Sequence, residues 1–409
     1  MNLYLFNPEA DLALANNTEH YMPPAIIRQM ALDLAILPAW YAEPGSAVLA
    51  SSFYNDVFLR KIQKLLGLQV SLVTPAELFG LHDYQIVPWG WNLSLRNTLL
   101  RKGFPKTLVP SCEDLKLYRE EASRTMLATR LSSIFQEPFC IGTSCNLYTL
   151  SDCRNYVEAA CFSTHETMAD RAVLPGCVLK APWSGSGKGL NWCRNGFTPS
   201  IEGWCIRILR EQGCVVASPI YDKVKDFAME FYADGVGQVK FVGYSSFITN
   251  SSGAYVGNDL LSHAAFEYEW EHYLPVSCLW NIRSRLEQLL AIYAYKGYQG
   301  YLGVDMMVCR SSGGFLLHPA VEVNLRMNMG VVALMLQQSL LLPGCTGHFS
   351  IDYFPDHGSL LRQHQSDIQN FPLHVADGKV LSGYLSLTPV TIQGRYRASV
   401  WVTGEPSFP

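Results

Sequence analysis

Residues 303–330, GVDMMVCRSSGGFLLHPAVEVNLRMNMG, constrain this chain more than any other stretch. Two apolar runs, 303–309 and 315–324, flank the turn-forming series Arg310, Ser311, Ser312, Gly313, Gly314, and so read as a β-hairpin. Alternate side chains of a strand share a face, so Glu322 and Asn324 project together. With residues 311–314 as a four-residue loop, Asp305 stands opposite Ala320 and joins that face. Two carboxylates and a carboxamide in apolar strands are costly to bury alone. They are the oxygen donors that a hard cation such as Mg²⁺ takes while keeping water and nucleotide phosphate as its other ligands. The competing reading is a half-solvated hairpin whose polar face meets water.

A second stretch, VLKAPWSGSGKGL at 178–190, has complementary chemistry. The run 178–181 reads as a strand that carries Lys180 to the edge of a loop in which Gly185, Gly187 and Gly189 alternate with Ser184, Ser186 and Lys188. A backbone without side chains approaches phosphate oxygens closely, and the hydroxyls, amides and ammonium supply donors. The pattern is not a Walker A motif, because Pro182 and Gly189 stand where a glycine and a Ser/Thr are required. A plain surface loop is the alternative.

The two motifs, in this order, resemble the ATP-grasp superfamily over roughly residues 111–330. The resemblance implies an α/β and α+β fold, with a Rossmann-like pre-ATP-grasp domain followed by a two-lobed ATP-grasp fold. The expected divisions are 1–110, an N-lobe with the glycine-rich loop at 111–219, and a C-lobe with the metal hairpin at 220–409. It also implies ATP as the nucleotide, Lys180 on its phosphate, and Mg²⁺, with Mn²⁺ as an alternative ion, held by Asp305, Glu322 and Asn324. Arg326, two past Asn324, lies on the ligand side if the strand continues, where a guanidinium suits a γ-phosphate or an acyl-phosphate.

Composition narrows the partners. The chain has 409 residues, 49% hydrophobic and 16% charged, which is enough for two or three domains with a substantial core. A net charge of −4 and a pI near 6.2, without a run of more than two basic residues, give no footprint for nucleic acid or an anionic membrane. The 12 cysteines show no C-x-x-C pair and no zinc spacing, so reduced thiols and a cytoplasmic location are expected. Residues 1–17 lack the pattern of a signal peptide, and the apolar run 330–344 contains Gln337 and Gln338 and is too short to span a bilayer. Small-molecule partners are expected, with a homodimer left open.

In chain order, residues 1–110 alternate strand-like runs (3–6, 47–50, 70–73, 85–87) with helix-like ones (24–37, 56–66), the pattern of a small, mostly parallel sheet. Asn7, Glu9 and Asp11 follow the first strand, where open parallel sheets gather ligands; Asp11 capping a helix beside an Asn7-Pro8 turn is an equal reading. Residues 111–135 read as one charged helix. The superfamily often carries a first phosphate-contacting lysine near such a helix; none stands after Lys116. Arg124 is a substitute, although a solvated charged face is favoured. Residues 215–221 lie at the expected inter-lobe linker, with Ser218 where a glutamate is usual. Residues 226–244 make a hairpin in which Glu230 is either a ribose or metal-shell ligand or an exposed strand residue. Residues 250–259 read as a turn-rich loop beside the acceptor site, with Asn258 free to hydrogen-bond. Residues 283–295 form a packing helix, Cys309 is core, and 345–409 hold strands without assignable chemistry.

These groups suit phosphoryl transfer from ATP. The resemblance implies that a carboxylate accepts the phosphoryl group and that an amine or thiol then attacks the acyl-phosphate, releasing ADP and phosphate. A small-molecule kinase and a non-catalytic ATP-binding protein are the alternatives.

Overall fold

The computed structural model describes residues 1–80, 84–162, 172–185, 189–250, 253–294 and 297–404. It is a mixed α/β and α+β structure built on one parallel and two antiparallel sheets, the class expected from the sequence.

The first part runs β1 (Asn2–Leu5), α1 (Ala10–Asn16), α2 (Ala25–Asp33), β2 (Ala47–Leu49), α3 (Phe53–Leu66), β3 (Ser71–Val73), β4 (Gln85–Pro88) and α4 (Leu93–Arg101). Its four strands pair in parallel in the order β3-β2-β1-β4, so the chain reverses direction across the sheet between β1 and β4. Helix α3 shows why the local sequence suffices. The Ser52 hydroxyl accepts from the Asn55 amide, Leu59 and Ile62 bury one face, and Gly67 ends the helix at φ 72°. Burying each of those two side chains contributes roughly 1.5–3 kcal/mol.

The charged run 111–135 is not one helix. It breaks into α5 (Cys112–Glu121), opened by a Ser111–Asp114 capping box, and α6 (Thr125–Arg130), with Ser123 and Arg124 between them. Then come β5 (Cys145–Leu147), α7 (Leu150–Phe162), β6 (Val173–Lys180), β7 (Leu190–Cys193), α8 (Pro199–Gln212) and β8 (Val215–Tyr221). The sheet β5-β8-β6-β7 is antiparallel, and α7 and α8 cover one face through Cys153, Val157, Cys205 and Ile208. Residues 215–221 are therefore a central strand rather than a linker; Ser218 pairs with Val178, and the chain leaves for the next sheet at Asp222.

The large sheet holds β9 (Lys223–Asp234), β10 (Val239–Thr249), β11 (Tyr255–Leu260), then, after α9 (His263–Trp270) and α10 (Val276–Ala294), β12 (Gln299–Ser311) and β13 (Gly314–Asn324). After α11 (Met329–Ser339), β14 (Thr346–Tyr353), α12 (Ser359–Asn370), β15 (His374–Ala376), β16 (Lys379–Ser386) and β17 (Tyr396–Thr403) complete it to nine strands. Residues 255–259 belong to strand β11 rather than to a loop, and Asn258 is wholly buried, bonded to Ser245, Ser246 and Tyr255.

The two faces of this sheet divide the labour. Val304, Met306 and Val308 point into a core with α9 and α10, while Asp305 points to the other face, which α11 partly covers. One cluster joins Phe6, Leu37, Trp40 and Trp89 of the first part to Val331 and Leu336 of α11 and to Phe349 and Val400, and Trp40 Nε1 donates to the Leu387 carbonyl at 2.6 Å. The carboxyl ends of β1 and β4 are thereby held against residues 325–328, where Met327 N donates to Trp89 O at 3.0 Å.

No helix among the described residues is long and apolar enough to cross a membrane.

Candidate active site

The hairpin forms as expected at its turn, with Arg310 opposite Phe315, but Ser311 also pairs with Gly314, leaving a two-residue loop. A bulge then shifts the register. Between the pairs Met307–His318 and Asp305–Glu322 there is one residue on β12 and three on β13, among them Pro319, which has no N–H to offer a ladder. Asp305 therefore faces Glu322 and not Ala320. A shift of two preserves strand parity, so Asp305, Glu322 and Asn324 still share one face.

Asn324 Nδ2 donates to Asp305 Oδ2 at 3.1 Å. Burial, reinforced by the neighbouring Glu322 carboxylate, pushes Asp305 up to about 7. All donors of this trio are oxygens apart from the amide nitrogen, and crowded carboxylates of this kind are what a divalent cation relieves, so the residues fit Mg²⁺. Among the described residues no three His, Cys, Asp or Glu side chains cluster as a metal site, so the carboxamide would have to complete the set.

Arg124 lies opposite. It is not on a solvated face: it is 5% exposed. Its Nη1 donates to Ala181 O at 2.8 Å and Ser184 Oγ at 2.6 Å, and its Nη2 donates to Ser184 O at 3.2 Å and Glu322 Oε1 at 2.6 Å. One guanidinium thus ties the end of the lysine strand, the first residue of the glycine-rich loop and a carboxylate of the hairpin. The spacing of charges along 111–135 points to solvent if the run is one continuous helix, whereas the break at 123–124 turns Arg124 inward.

Lys180 ends β6 and is buried. Desolvation, with the Arg124 charge, lowers it to about 8, while Glu322 and Asp305 act in the opposite direction. Ser184 and Gly185 begin the loop; Ser186, Gly187 and Lys188 lie outside the described residues. A Cβ on Gly189 would stand 2.1 Å from Ser184 Oγ, and one on Gly185 would stand 2.9 Å from Asp11 Oδ2, so both glycines are needed for close approach. Trp183 anchors the loop, with its ring under the Arg119 guanidinium at 3.6 Å and its Nε1 donating to Arg119 O at 2.8 Å.

Arg326 is beside the trio, as expected, but it is already paired. Its Nε and Nη2 reach Asp11 Oδ1 and Oδ2 at 2.7 and 2.6 Å, and Nη2 also donates to Asn324 Oδ1 at 3.1 Å. Asp11 is therefore no helix cap but a bridge from the first sheet to the hairpin. Glu230 is no exposed strand residue: it is 1% exposed, opposite Gly303, accepts from Asn328 Nδ2 at 2.9 Å and is pushed up to about 8 by burial. Gly303 and Gly330 make its room, since a Cβ on either would come within 2.5 or 2.1 Å of its carboxyl oxygens. Gly330→Ala is expected to destabilise the protein by about 1–3 kcal/mol through this overpacking, although alanine is the better helix former. A denaturant titration at neutral pH checks it.

Three buried polar atoms near Lys180 have no signal in the sequence. Among the described residues, His318 Nδ1 on β13, and Asn146 Oδ1 and Ser144 Oγ at β5, are buried without a partner. Asn146 and Lys180 flank Val216 in one row and so share a face of the small sheet. Burial and the Lys180 charge push His318 down to about 3, which keeps it neutral as it packs edge-on against Phe135 and Tyr221. Unpartnered polar atoms beside a buried lysine leave hydrogen-bonding capacity for a ligand.

No family model and no curated protein matches the sequence. Solved structures similar to it include N5-carboxyaminoimidazole synthetase from Staphylococcus aureus, at 11% identity over 99% of this chain and 94% of that one, with a TM-score of 0.47. Biotin carboxylase from Campylobacter jejuni, in a complex with β,γ-ATP, is 12% identical over 99% of this chain and 88% of that one, with a TM-score of 0.47. Carboxyaminoimidazole ribonucleotide synthase from Aspergillus clavatus, complexed with ATP, is 11% identical over 90% and 95%, with a TM-score of 0.45. These are distant likenesses in sequence and partial ones in shape.

Proposed function

We propose that the chain is an ATP-dependent ligase of the ATP-grasp type that activates a carboxylate as an acyl-phosphate and joins it to an amine or a thiol. The observation that carries this reading is the opposition of Lys180 and Arg124 to the Asp305–Glu322–Asn324 face, bridged by Ser184 at the root of the glycine-rich loop. Cations on one wall and carboxylates on the other suit a triphosphate with its metal, and neither wall suits it alone.

In this reading Lys180, Arg124 and the loop residues Ser184, Gly185, Ser186, Gly187 and Lys188 take phosphate, with Arg124 in the place of the missing lysine. Asp305, Glu322 and Asn324 hold Mg²⁺, which neutralises phosphate charge. Asn146 and His318 face the remainder of the nucleotide. Glu230, on the metal face but covered by the start of α11, supports that face rather than reaching ribose. A substrate carboxylate oxygen attacks the γ-phosphorus and ADP leaves. The amine or thiol then attacks the acyl carbon, phosphate leaves and the nucleophile gives up a proton. Arg326, held by Asp11, lies where the acyl-phosphate charge develops. Pooled carboxylates tested with pooled amines for ADP release are expected to show a reaction that needs both. A stable phosphoester formed without an amine would instead favour a kinase.

Two outcomes follow for Lys180. With a folded pKa near 8, it loses its proton in the free protein above that pH, whereas phosphate binds the ammonium. MgATP affinity is therefore expected to fall as pH rises from 7 to 9, and Lys180→Arg to flatten the profile, measured by titration calorimetry. Lys180→Ala is expected to weaken MgATP by roughly 10–100-fold and reduce the protection from proteolysis that nucleotide gives residues 183–190, with Lys188→Ala as the milder control.

A further inference from the structure

The strand that carries Lys180 and the strand that receives the chain after the glycine-rich loop pair through the rungs Lys180–Leu190, Leu179–Asn191, Val178–Trp192 and Cys177–Cys193. The last rung is closed by two cysteines. Directly opposite residues of antiparallel strands have Cα atoms about 4.5–5.5 Å apart, inside the roughly 4.4–6.8 Å that a disulfide spans. Both side chains are wholly buried and pack in one core with Cys153 of α7 and Cys205 of α8. All 12 cysteines of the chain are free. Among the described residues no three His, Cys, Asp or Glu side chains cluster as a metal site, so these thiols are not a soft-metal centre.

Position separates this pair from cysteines that only pack. β7 is the outer strand of β5-β8-β6-β7 and ends at Cys193. On the other side of β6, the pairing with β8 shifts register between Leu174 and Cys177. A terminal rung on an edge strand, next to an irregularity, opens at low cost, so a buried sulfur there meets solvent without global unfolding. Gly176, at φ 99°, lets the strands close this far, since a Cβ on it would stand 2.4 Å from the Cys193 carbonyl oxygen. The local chemistry is also polarised. Cys193 Sγ donates to Asn191 O at 3.7 Å, and the Cys177 thiol hydrogen-bonds to Cys193, which holds Cys193 below the usual thiol range and pushes Cys177 up. The more readily ionised sulfur attacks an oxidant, and its partner is in place to resolve the product.

We propose that Cys177 and Cys193 form a reversible disulfide under hydrogen peroxide, fastening the hairpin that carries the glycine-rich loop. The Cys193 thiolate attacks one peroxide oxygen, the O–O bond breaks and hydroxide leaves, giving a sulfenic acid. The Cys177 sulfur then attacks that sulfur, its proton goes to the departing hydroxyl, and water leaves. In sum, two thiols give up two electrons and two protons, and one peroxide becomes two waters. A dithiol reductant reverses the bond by thiol–disulfide exchange. The disulfide does not depend on the ligase reading. It bears on that reading only because Lys180 ends the same strand and the loop opens directly from it.

The test uses the whole protein, oxidised with graded hydrogen peroxide, alkylated, and digested without reductant for mass mapping. The expected product is a linked pair of peptides containing Cys177 and Cys193, two hydrogens lighter than the reduced pair and separated by dithiothreitol. Amide exchange at residues 190–193 is expected to slow about tenfold in the linked form, because the terminal rung no longer opens. Cys193→Ala should abolish both changes, and the wild-type map decides the matter even if that variant folds poorly. The half-buried Cys161, whose Sγ donates to Cys193 O at 3.4 Å, is the nearest competitor, so Cys161→Ala should leave the link intact. No linked peptide in protein that stays folded, a link from Cys193 to Cys161 instead, or exchange unchanged by the link overturns the proposal. MgATP binding is measured in both forms. A link formed in protein that binds no MgATP leaves the disulfide standing and removes the ligase reading; MgATP binding without any link removes the disulfide alone.

Discussion

Asp305→Asn and Glu322→Gln are each expected to lower Mg²⁺-dependent ATP turnover by about a hundredfold or more while leaving the fold intact, since they remove charge from the cation's seat and no volume from the core. The two differ without metal. Asp305, with a folded pKa near 7, keeps its proton in the folded chain at pH values where the unfolded chain has lost it. Its contribution to stability therefore declines as pH rises from about 4 through 7. Replacing it by asparagine removes that cost, so the metal-free variant should melt above wild type at pH 8. Glu322→Gln keeps an oxygen for Arg124 but loses the ion pair, so its metal-free Tm should fall slightly. Thermal melts with and without Mg²⁺, beside steady-state ATPase or ligase assays, separate these effects. Turnover near wild type in either variant would speak against the metal site.

The second large effect belongs to Arg124→Ala. Four hydrogen bonds from one buried guanidinium disappear together, and Glu322 loses its partner while remaining partly buried. Removing one side of such a pair costs about 3 kcal/mol or more, discounted here because the Glu322 side chain is 25% exposed and can recruit water. Arg124→Lys restores a charge but not the fork, so it should recover part of the stability while leaving residues 183–190 less protected by nucleotide. Denaturant unfolding gives the first number and limited proteolysis the second. An Arg124→Ala protein as stable as wild type would mean that the guanidinium makes none of these contacts in solution.

The site was legible in the sequence where its chemistry is local. Asp305, Glu322 and Asn324 lie within one hairpin, so strand parity alone put them on one face, and it did so even though Pro319 bulges β13 and shifts the register by two. Lys180 and its glycines lie within a dozen residues, and the need for Gly189 shows in the 2.1 Å that its Cβ would leave to Ser184. Arg124 is not legible in the sequence because its decisive partner is 198 residues away and its burial follows from a helix break rather than from a periodicity. Asp11 and Arg326 each stand out separately in the sequence, but nothing short of the packing of the first sheet against residues 325–328 pairs them across 315 residues. The same holds for residues 345–409, whose strand character was visible but whose place as β14–β17 of the nine-stranded sheet depends on pairing with β11. Glu230 was ambiguous because alternation says which face a residue takes and not what covers that face; α11 and Asn328 cover it.

In the proposed site, ATP is held between Lys180 and Arg124 on one wall and a metal-bearing carboxylate face on the other. Titration calorimetry of MgATP into the wild type, Lys180→Ala and Asp305→Asn, repeated with EDTA, tests it most directly. Saturable binding to the wild type is expected, weakening roughly tenfold or more in each variant and on chelation. Binding of equal strength in all three proteins, or no binding to the folded wild type, would contradict it.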